Sequence, residues 1–134
     1  MSSLAGLTEE GIDALQHLKE RREVNTVILR RTESPGLELE LELEGNLTHE
    51  ELLQALPPDQ ARLIVHELAF ASREGTRRHA QLLILWVPAG GEGQEESYTA
   101  GYTALKGLLA EVHVHLTARR RDHLEYRRLA ALAG

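Results

Sequence analysis

The residues best suited to chemistry in this sequence are its histidines, of which there are seven, and cysteine is absent. Without cysteine, thiolate zinc sites, disulfides and cysteine nucleophiles are excluded. His113 and His115 lie two positions apart in a segment that alternates like a β-strand, so both imidazoles would share one face, as a metal pair requires. We favour a solvated or hydrogen-bonded outer strand face over a metal site, because the pattern does not define a complete ligand set.

Two other motifs lack the spacing that known reactions need. His66-Glu67 has no second histidine four residues after the first, which a zinc-protease helix requires, and it lies in a predicted strand. The loop from Gly90 to Gly93 follows a strand and precedes a helix, where a phosphate could contact free N–H groups. It lacks the GxGxxG spacing and a phosphate-loop lysine, and Glu92, Glu95 and Glu96 would repel a phosphate.

Serines and carboxylates give no sign of catalysis. Neither Ser72 nor Ser97 lies in a GxSxG elbow, and no carboxylate pair is placed in an apolar pocket where a raised pKa could make one an acid. We therefore expect a binding protein and not an enzyme, with no cofactor and no bound metal.

The charge distribution favours a protein partner. The net charge of −6 argues against nucleic acid, because affinity for phosphates comes from lysine and arginine. Positions 33–60 hold eight acidic residues and no lysine or arginine. The C-terminal segment is instead rich in arginine, at Arg119, Arg120, Arg121, Arg127 and Arg128. The alternative to an acidic and a basic contact surface is a pair of solvated faces, which is the usual role of charge runs.

The length and hydropathy predict one cytoplasmic domain over residues 1–134. A chain of 134 residues is long enough for one core without disulfides or metal. No apolar run approaches the roughly 20 residues of a membrane span. Met1 to Leu7 lacks the basic start and long apolar stretch of a secretory signal. We expect a monomer with no transmembrane segment.

The first half of the chain predicts a helix, a hairpin and a second helix. Thr8 to Arg22 has an N-cap threonine and apolar residues at helical spacing. Val24 to Arg31 and Leu37 to Glu44 predict two strands joined by a turn, and strict alternation in the second would put every leucine on one sheet face. Thr48 to Glu51 is a capping box for a short helix that ends at Pro57 and Pro58.

The second half predicts three strands and two helices. Ala61 to Phe70 and Gln81 to Val87 are strand-like, and the unbroken apolar run in the latter implies a strand covered on both faces. A helix from Glu95 to about Ala110 has Tyr98, Tyr102, Leu105 and Leu109 spaced to share one face, and it precedes a strand from Val112 to Leu116. As a right-handed crossover between two strands, this helix would make the last strand pair parallel. Thr117 would then cap a closing helix to about Ala133. The whole predicts an α/β (α+β) fold in the order αββαββαβα, with a mixed sheet of about five strands flanked by four helices.

The middle of the chain, from Asn46 to Gly90, reads NLTHEELLQALPPDQARLIVHELAFASREGTRRHAQLLILWVPAG. This stretch resembles the actin-depolymerising-factor homology (ADF/cofilin) family, and within that family it is most similar to the glia maturation factors. The shared features include the capped helix ending in Leu56-Pro57, the strand start from Gln60 to Val65, and the ending from Trp86 to Gly90. Tyr98, Ala104 and Leu105 also match the family's long helix. The resemblance implies an actin-cytoskeleton regulator that severs, depolymerises or debranches filaments, binds actin or an actin-related protein, and is cytoskeleton-associated.

The resemblance also implies two binding surfaces. The first combines the N-terminal tail with the long helix and falls on Ser2, Ser3, Leu4, Glu95, Glu96, Ala100, Gly101, Leu105 and Lys106. The second contacts a neighbouring filament subunit and falls on Arg77, Arg78, Glu125, Arg127 and Arg128. Small residues at Ala100 and Gly101 would let a partner's groove approach the helix backbone, in the helix-in-groove manner.

One departure from the cofilin pattern leaves an alternative open. Cofilins place lysines just before the family tyrosine, whereas Gly93 and Glu95 stand there in this chain, and Glu96 replaces a methionine. Reversed charge at an interface can cost several kcal/mol. The alternative function is therefore a regulator or scaffold of the same fold that no longer binds conventional actin.

Overall fold

The computed structural model describes residues 7–20, 24–31, 39–72, 74–109 and 112–133. Within these ranges the order of elements is the predicted αββαββαβα. The helices are α1 (Glu9–Glu20), α2 (His49–Ala55), α3 (Glu95–Leu108) and α4 (Tyr126–Ala133). The strands are β1 (Thr26–Arg31), β2 (Leu39–Gly45), β3 (Arg62–Ala71), β4 (Arg77–Trp86) and β5 (Val112–Ala118). Short 3-10 helices cover Ala89–Gln94 and Arg121–Leu124.

The strands form one mixed sheet in the order β2-β1-β3-β4-β5. The pairs β1–β2, β1–β3 and β3–β4 are antiparallel, and β4–β5 is parallel. The predicted mixed sheet with a parallel last pair is therefore confirmed. The turn predicted between β1 and β2, Glu33 to Gly36, lies outside the described residues.

Helices cover both faces of the sheet, as the apolar run in β4 predicts. Leu83 and Leu85 belong to a core formed with α1 and α3, whereas Leu82, Ile84 and Trp86 belong to a second core formed with α2 and α4. Alternate side chains of a strand point to opposite faces, so an uninterrupted apolar run supplies both cores at once. The sheet is thus the middle of three layers.

The predicted caps of α1 and α2 are confirmed. Thr8 Oγ1 accepts a hydrogen bond from Gly11 N, and Thr48 Oγ1 accepts one from Glu51 N. The Glu51 carboxylate in turn accepts from Thr48 N at 2.9 Å, which completes the capping box. Each contact satisfies a backbone donor that has no partner within the helix.

The prediction that every leucine of β2 lies on one face is wrong. Ile28 of β1 pairs with Leu43 and Leu29 pairs with Leu41, so Glu42 is an extra residue that forms a β-bulge. Leu39 and Leu41 therefore pack in the α1/α3 core, and Leu43 packs in the α2/α4 core. A bulge reverses the alternation beyond it, and sequence alternation alone cannot reveal one.

The expected alternation in β5 is likewise interrupted. Gln81 pairs with Val112 and Leu82 with Val114, which leaves His113 at an irregularity. Val112 and Val114 consequently pack in different cores. The regular alternation that would place His113 and His115 on one face as a metal pair is therefore absent, although both side chains are exposed.

The closing helix begins later than predicted. Thr117 lies inside β5 and does not cap a helix, because β5 continues to Ala118 along β4. Arg121–Leu124 then forms a 3-10 turn before α4 starts at Tyr126. Strand β4 also starts earlier than predicted, since the residues from Arg77 to Ala80 pair with the end of β3.

A buried histidine makes the stability of this fold depend on pH. His66 is 2% exposed, and its Nδ1 lies 2.8 Å from Thr26 Oγ1. Burial, together with the charge of His49, lowers the pKa of His66 from 6.5 to about 4. Between pH 6.5 and pH about 4, this histidine carries a proton in the unfolded chain but not in the folded chain. The free energy of unfolding therefore falls as the pH falls.

We expect this histidine to remove about 3 kcal/mol of unfolding free energy between neutral pH and pH about 4. The measurement is the urea midpoint across that range, for the natural chain and for His66→Gln, which cannot titrate. The difference between the two proteins in how steeply the urea midpoint changes with pH gives the contribution of His66. Equal slopes would contradict the assignment.

Candidate functional site

Helix α3 lies with one side in the core and the other in solvent. Tyr98 and Leu105 are buried, and Tyr102 and Leu109 pack partly against the same core, which confirms the predicted inner face. The outward residues are spaced at three or four positions along the helix, so they form one stripe. We call this stripe the α3 surface, and it consists of Glu96, Ala100, Thr103 and Lys106, all exposed.

The α3 surface has small side chains in its middle and charged side chains at its ends. Ala100 and Thr103 are small, and Glu96 lies in the first turn. Near the other end, Lys106 Nζ lies 5.0 Å from the centre of the Tyr102 ring. The opposite charges at the two ends also match the polarity of the helix dipole.

Two residues predicted for the first surface face inward. Leu105 is fully buried in the α1/α3 core, so a partner cannot reach it. A Cβ atom on Gly101 would lie 2.8 Å from Leu39 Cδ1 and 3.2 Å from Leu63 Cδ1. The small size of Gly101 therefore allows α3 to approach its own sheet, and not a partner's groove as the sequence had suggested.

Gly101→Trp should destabilise the fold instead of testing a binding surface. The indole would have to displace Leu39 and Leu63, and overpacking of this kind costs about 1–3 kcal/mol or more. A lowered urea midpoint would show this effect. Ala100→Trp is the matched control, because Ala100 is exposed on the same helix and its replacement should leave the midpoint nearly unchanged. Equal midpoints for the two variants would contradict this packing.

The start of α3 is held by contacts that sequence reasoning did not identify. Glu95 receives two hydrogen bonds from the Arg119 guanidinium, at 2.9 and 2.8 Å. The Tyr98 hydroxyl accepts from Arg31 N at 2.8 Å. Gln94 Oε1 accepts from Ala61 N at 2.7 Å. Of the first-surface residues, Ser2, Ser3 and Leu4 lie outside the described residues.

The second predicted surface is partly assembled. Arg78 on β4 and Arg127 on α4 line one open groove, to which Tyr126, Phe70 and Ala130 also contribute. Tyr126 is 43% exposed and was not predicted as a site residue, although an aromatic beside arginines is a common interface signal. The remaining predicted residues do not line the groove, although they are exposed and adjacent in sequence to residues that do; they are Arg77, Glu125 and Arg128.

Contacts from α2, from Leu56 just after it and from Trp86 on β4 hold the segment that leads into α4. His49 Nε2 lies 2.5 Å from the Leu124 carbonyl oxygen, and its ring meets Tyr126 edge-on at 6.2 Å. Arg121 donates to the Leu56 carbonyl at 2.9 Å, and its guanidinium lies 5.8 Å from the centre of the Trp86 ring. These contacts set the position of one wall of the groove.

The glycine loop before α3 serves packing. A Cβ atom on Gly90 would lie 2.9 Å from the Asp59 Cα, and one on Gly91 would lie 3.0 Å from Ala61 N. Glycine is therefore needed for a close approach between two segments of this chain. This packing accounts for the glycines without a phosphate ligand.

The described residues contain no group of three or more histidine, aspartate or glutamate side chains that could hold a metal ion. None of the helices within those ranges combines the length and the apolar character that crossing a bilayer demands.

The chain resembles known proteins in both sequence pattern and fold. Residues 5–132 match the family model described as cofilin/tropomyosin-type actin-binding protein. No curated protein matches the sequence. Streptomyces griseoflavus cofilin superimposes with a TM-score of 0.83 at 18% identity, covering 96% of each chain.

Two further solved structures have the same fold. Plasmodium berghei actin depolymerization factor 2 gives a TM-score of 0.80 at 15% identity and covers 99% of each chain. Glia maturation factor from Caenorhabditis elegans gives a TM-score of 0.72 at 20% identity, covering 98% of this chain and 99% of its own. The family match spans nearly the whole sequence, and the fold agrees with it. The chain therefore belongs to the cofilin/ADF family of actin-binding proteins.

Proposed function

We propose that this chain binds actin or an actin-related protein through the α3 surface and the N-terminal tail, and thereby regulates filament turnover by severing, depolymerisation or debranching. The observation that carries the proposal is the α3 surface itself, in which Ala100 and Thr103 are exposed on a helix whose start is held by side-chain contacts. The protein would act by binding, in the cytoplasm, as a monomer.

Helix-in-groove binding suits the shape of this surface. Small side chains in the middle let a groove come close to the helix backbone, and a rigid helix loses little conformational entropy on docking. Glu96 and Lys106 at the two ends supply charges that can fix the orientation of the partner. Of the predicted first surface, this proposal retains Ser2, Ser3, Leu4, Glu96, Ala100 and Lys106.

The groove between β4 and α4 provides a second contact. Its lining includes two arginines, Arg78 and Arg127, against one carboxylate, Glu74, so it suits a partner surface with acidic residues, and Tyr126 offers an exposed aromatic side chain. We propose that this groove, with Arg77, Glu125 and Arg128 beside it, contacts a neighbouring filament subunit. A protein that touches two subunits shifts a filament toward whichever state it binds more tightly.

Binding assays with separate partners test this function. The purified chain should pellet with actin filaments or be retained by the actin-related-protein branching complex, and should bind monomeric actin more weakly if both surfaces are used. Retention by neither actin nor actin-related proteins would overturn the proposal. That result would favour a scaffold that no longer binds actin, an alternative motivated by the acidic residue Glu96 in the first turn of α3.

A further inference from the structure

The first turn of α3 is tied to three strands at one end of the sheet. Gln94 contacts Ala61 just before β3, Glu95 contacts Arg119 just after β5, and Tyr98 contacts Arg31 at the end of β1. We call these three contacts the α3 clamp. They connect positions that are distant in sequence. Together they restrain the distance of the helix start from the sheet and the rotation of the helix about its axis.

The Glu95–Arg119 contact is the charged member of the α3 clamp. Both carboxylate oxygens of Glu95 accept hydrogen bonds from the two terminal nitrogens of Arg119, in the fork arrangement that makes such pairs directional. These hydrogen bonds hold the pKa of Glu95 below its usual value. The carboxylate is therefore already engaged within the chain before any partner arrives.

The arginine side of this pair is itself fixed in place. Arg119 directly follows Ala118, the last residue of β5, and its backbone N–H donates to His123 Nδ1 at 3.0 Å. An isolated exposed ion pair contributes little, but a bidentate pair between two fixed backbones restricts orientation. Glu96, next to Glu95, is exposed and forms no ion pair among the described residues.

We infer that Glu95 and Arg119 form a positioning pair for the α3 surface: they set the rotation of the first turn so that Glu96 and Ala100 face the partner. Glu95 itself makes no contact with the partner. This inference rests on the proposed function, and it assigns the two neighbouring glutamates different roles. Glu96 is the carboxylate that meets the partner, whereas Glu95 acts through Arg119.

A charge exchange separates positioning from direct contact. Glu95→Arg and Arg119→Glu, made singly, should each weaken binding to actin or the branching complex about tenfold, a typical coupling for a directional contact pair. The double variant Glu95→Arg/Arg119→Glu restores the fork with the charges reversed. It should bind within about threefold of the natural chain, since an arginine at a helix start has only a small dipole penalty.

Arg30→Gln is the matched control. Arg30 pairs with Glu40 at 2.7 Å between β1 and β2, and that pair involves neither α3 nor His123. Its loss should leave affinity unchanged. Failure of the double variant to recover binding would show that Glu95 contacts the partner directly, and unchanged affinity in both single variants would show that the pair positions nothing. Either result overturns the inference.

Amide hydrogen exchange tests the positioning pair without a partner. The amides of Thr99 and Ala100 should exchange faster in each single variant and return toward the natural rate in the double variant. If the natural chain binds no actin-family protein but the exchange pattern holds, the positioning pair stands and only the proposed function fails. Unaltered exchange in the single variants would overturn the positioning pair itself.

Discussion

Ala100→Trp is expected to lower the affinity for actin or an actin-related protein at least about a hundredfold, equivalent to roughly 2.7 kcal/mol. The indole would stand on the exposed middle of the α3 surface, between Glu96 and Thr103, and hold a partner's groove away from the helix. Because the side chain points to solvent, the fold should remain intact. Calorimetric titration with monomeric actin, or pelleting with filaments, measures the effect.

A tryptophan elsewhere on the surface provides the control for this change. Gln54 on α2 is exposed and lies in the other helical layer, so Gln54→Trp adds the same side chain away from the α3 surface. We expect its affinity to equal that of the natural chain. Equal binding by Ala100→Trp and Gln54→Trp would show that α3 is not the docking helix.

Trp86→Ala should lower the free energy of unfolding by about 3–5 kcal/mol, as large aromatic truncations in a core do. Trp86 is 1% exposed at the end of β4, in the α2/α4 core. Its Nε1 donates to the Pro57 carbonyl at 2.8 Å, and Arg121 lies over its ring. Urea denaturation followed by circular dichroism measures the change.

Trp86→Phe separates the packing of this residue from its hydrogen bond. Phenylalanine keeps most of the apolar contact and leaves the Pro57 carbonyl without its donor, which costs about 1–3 kcal/mol. The loss should therefore be clearly smaller than for Trp86→Ala. A similar loss in both variants would mean that the hydrogen bond, and not the packing, dominates the stability at this position.

Much of the fold could be predicted because its signals are local. The capping box at Thr48 lies within four residues, and the apolar run of β4 alone implies helices on both faces of the sheet. The β-bulge at Glu42 could not be predicted, since the Leu-Glu alternation is unbroken in the sequence. The bulge is seen only in the pairing with β1, where Leu43 lies beside Ile28 in one core and Leu41 lies beside Leu29 in the other.

The acidic run illustrates how pairing changes the meaning of a sequence pattern. Glu40 pairs with Arg30 at 2.7 Å, and Glu42 pairs with Arg62 at 2.5 Å. These carboxylates of β2 are therefore paired within the sheet. This pairing weakens the interpretation of the acidic positions 33–60 as a surface for a partner. In the C-terminal segment, Arg119 is likewise engaged by Glu95 within the chain.

The candidate site was predicted less completely than the fold, because some of its contacts join residues that are distant in sequence. Spacing along α3 identifies which residues share a face, and it placed Tyr98, Tyr102, Leu105 and Leu109 correctly. The family resemblance, however, assigned Gly101 and Leu105 to the partner, although both face this chain's own core. The Glu95–Arg119 pair spans 24 residues and depends on how β5 ends beside α3.

Amide hydrogen exchange of this chain with and without bound actin, or the actin-related-protein branching complex, tests docking by α3 most directly. Docking by α3 should slow exchange on binding along residues 96–107 and leave exchange unchanged in α2, which lies in the other layer. Slower exchange confined to α2 or β2, with none along α3, would contradict docking by α3.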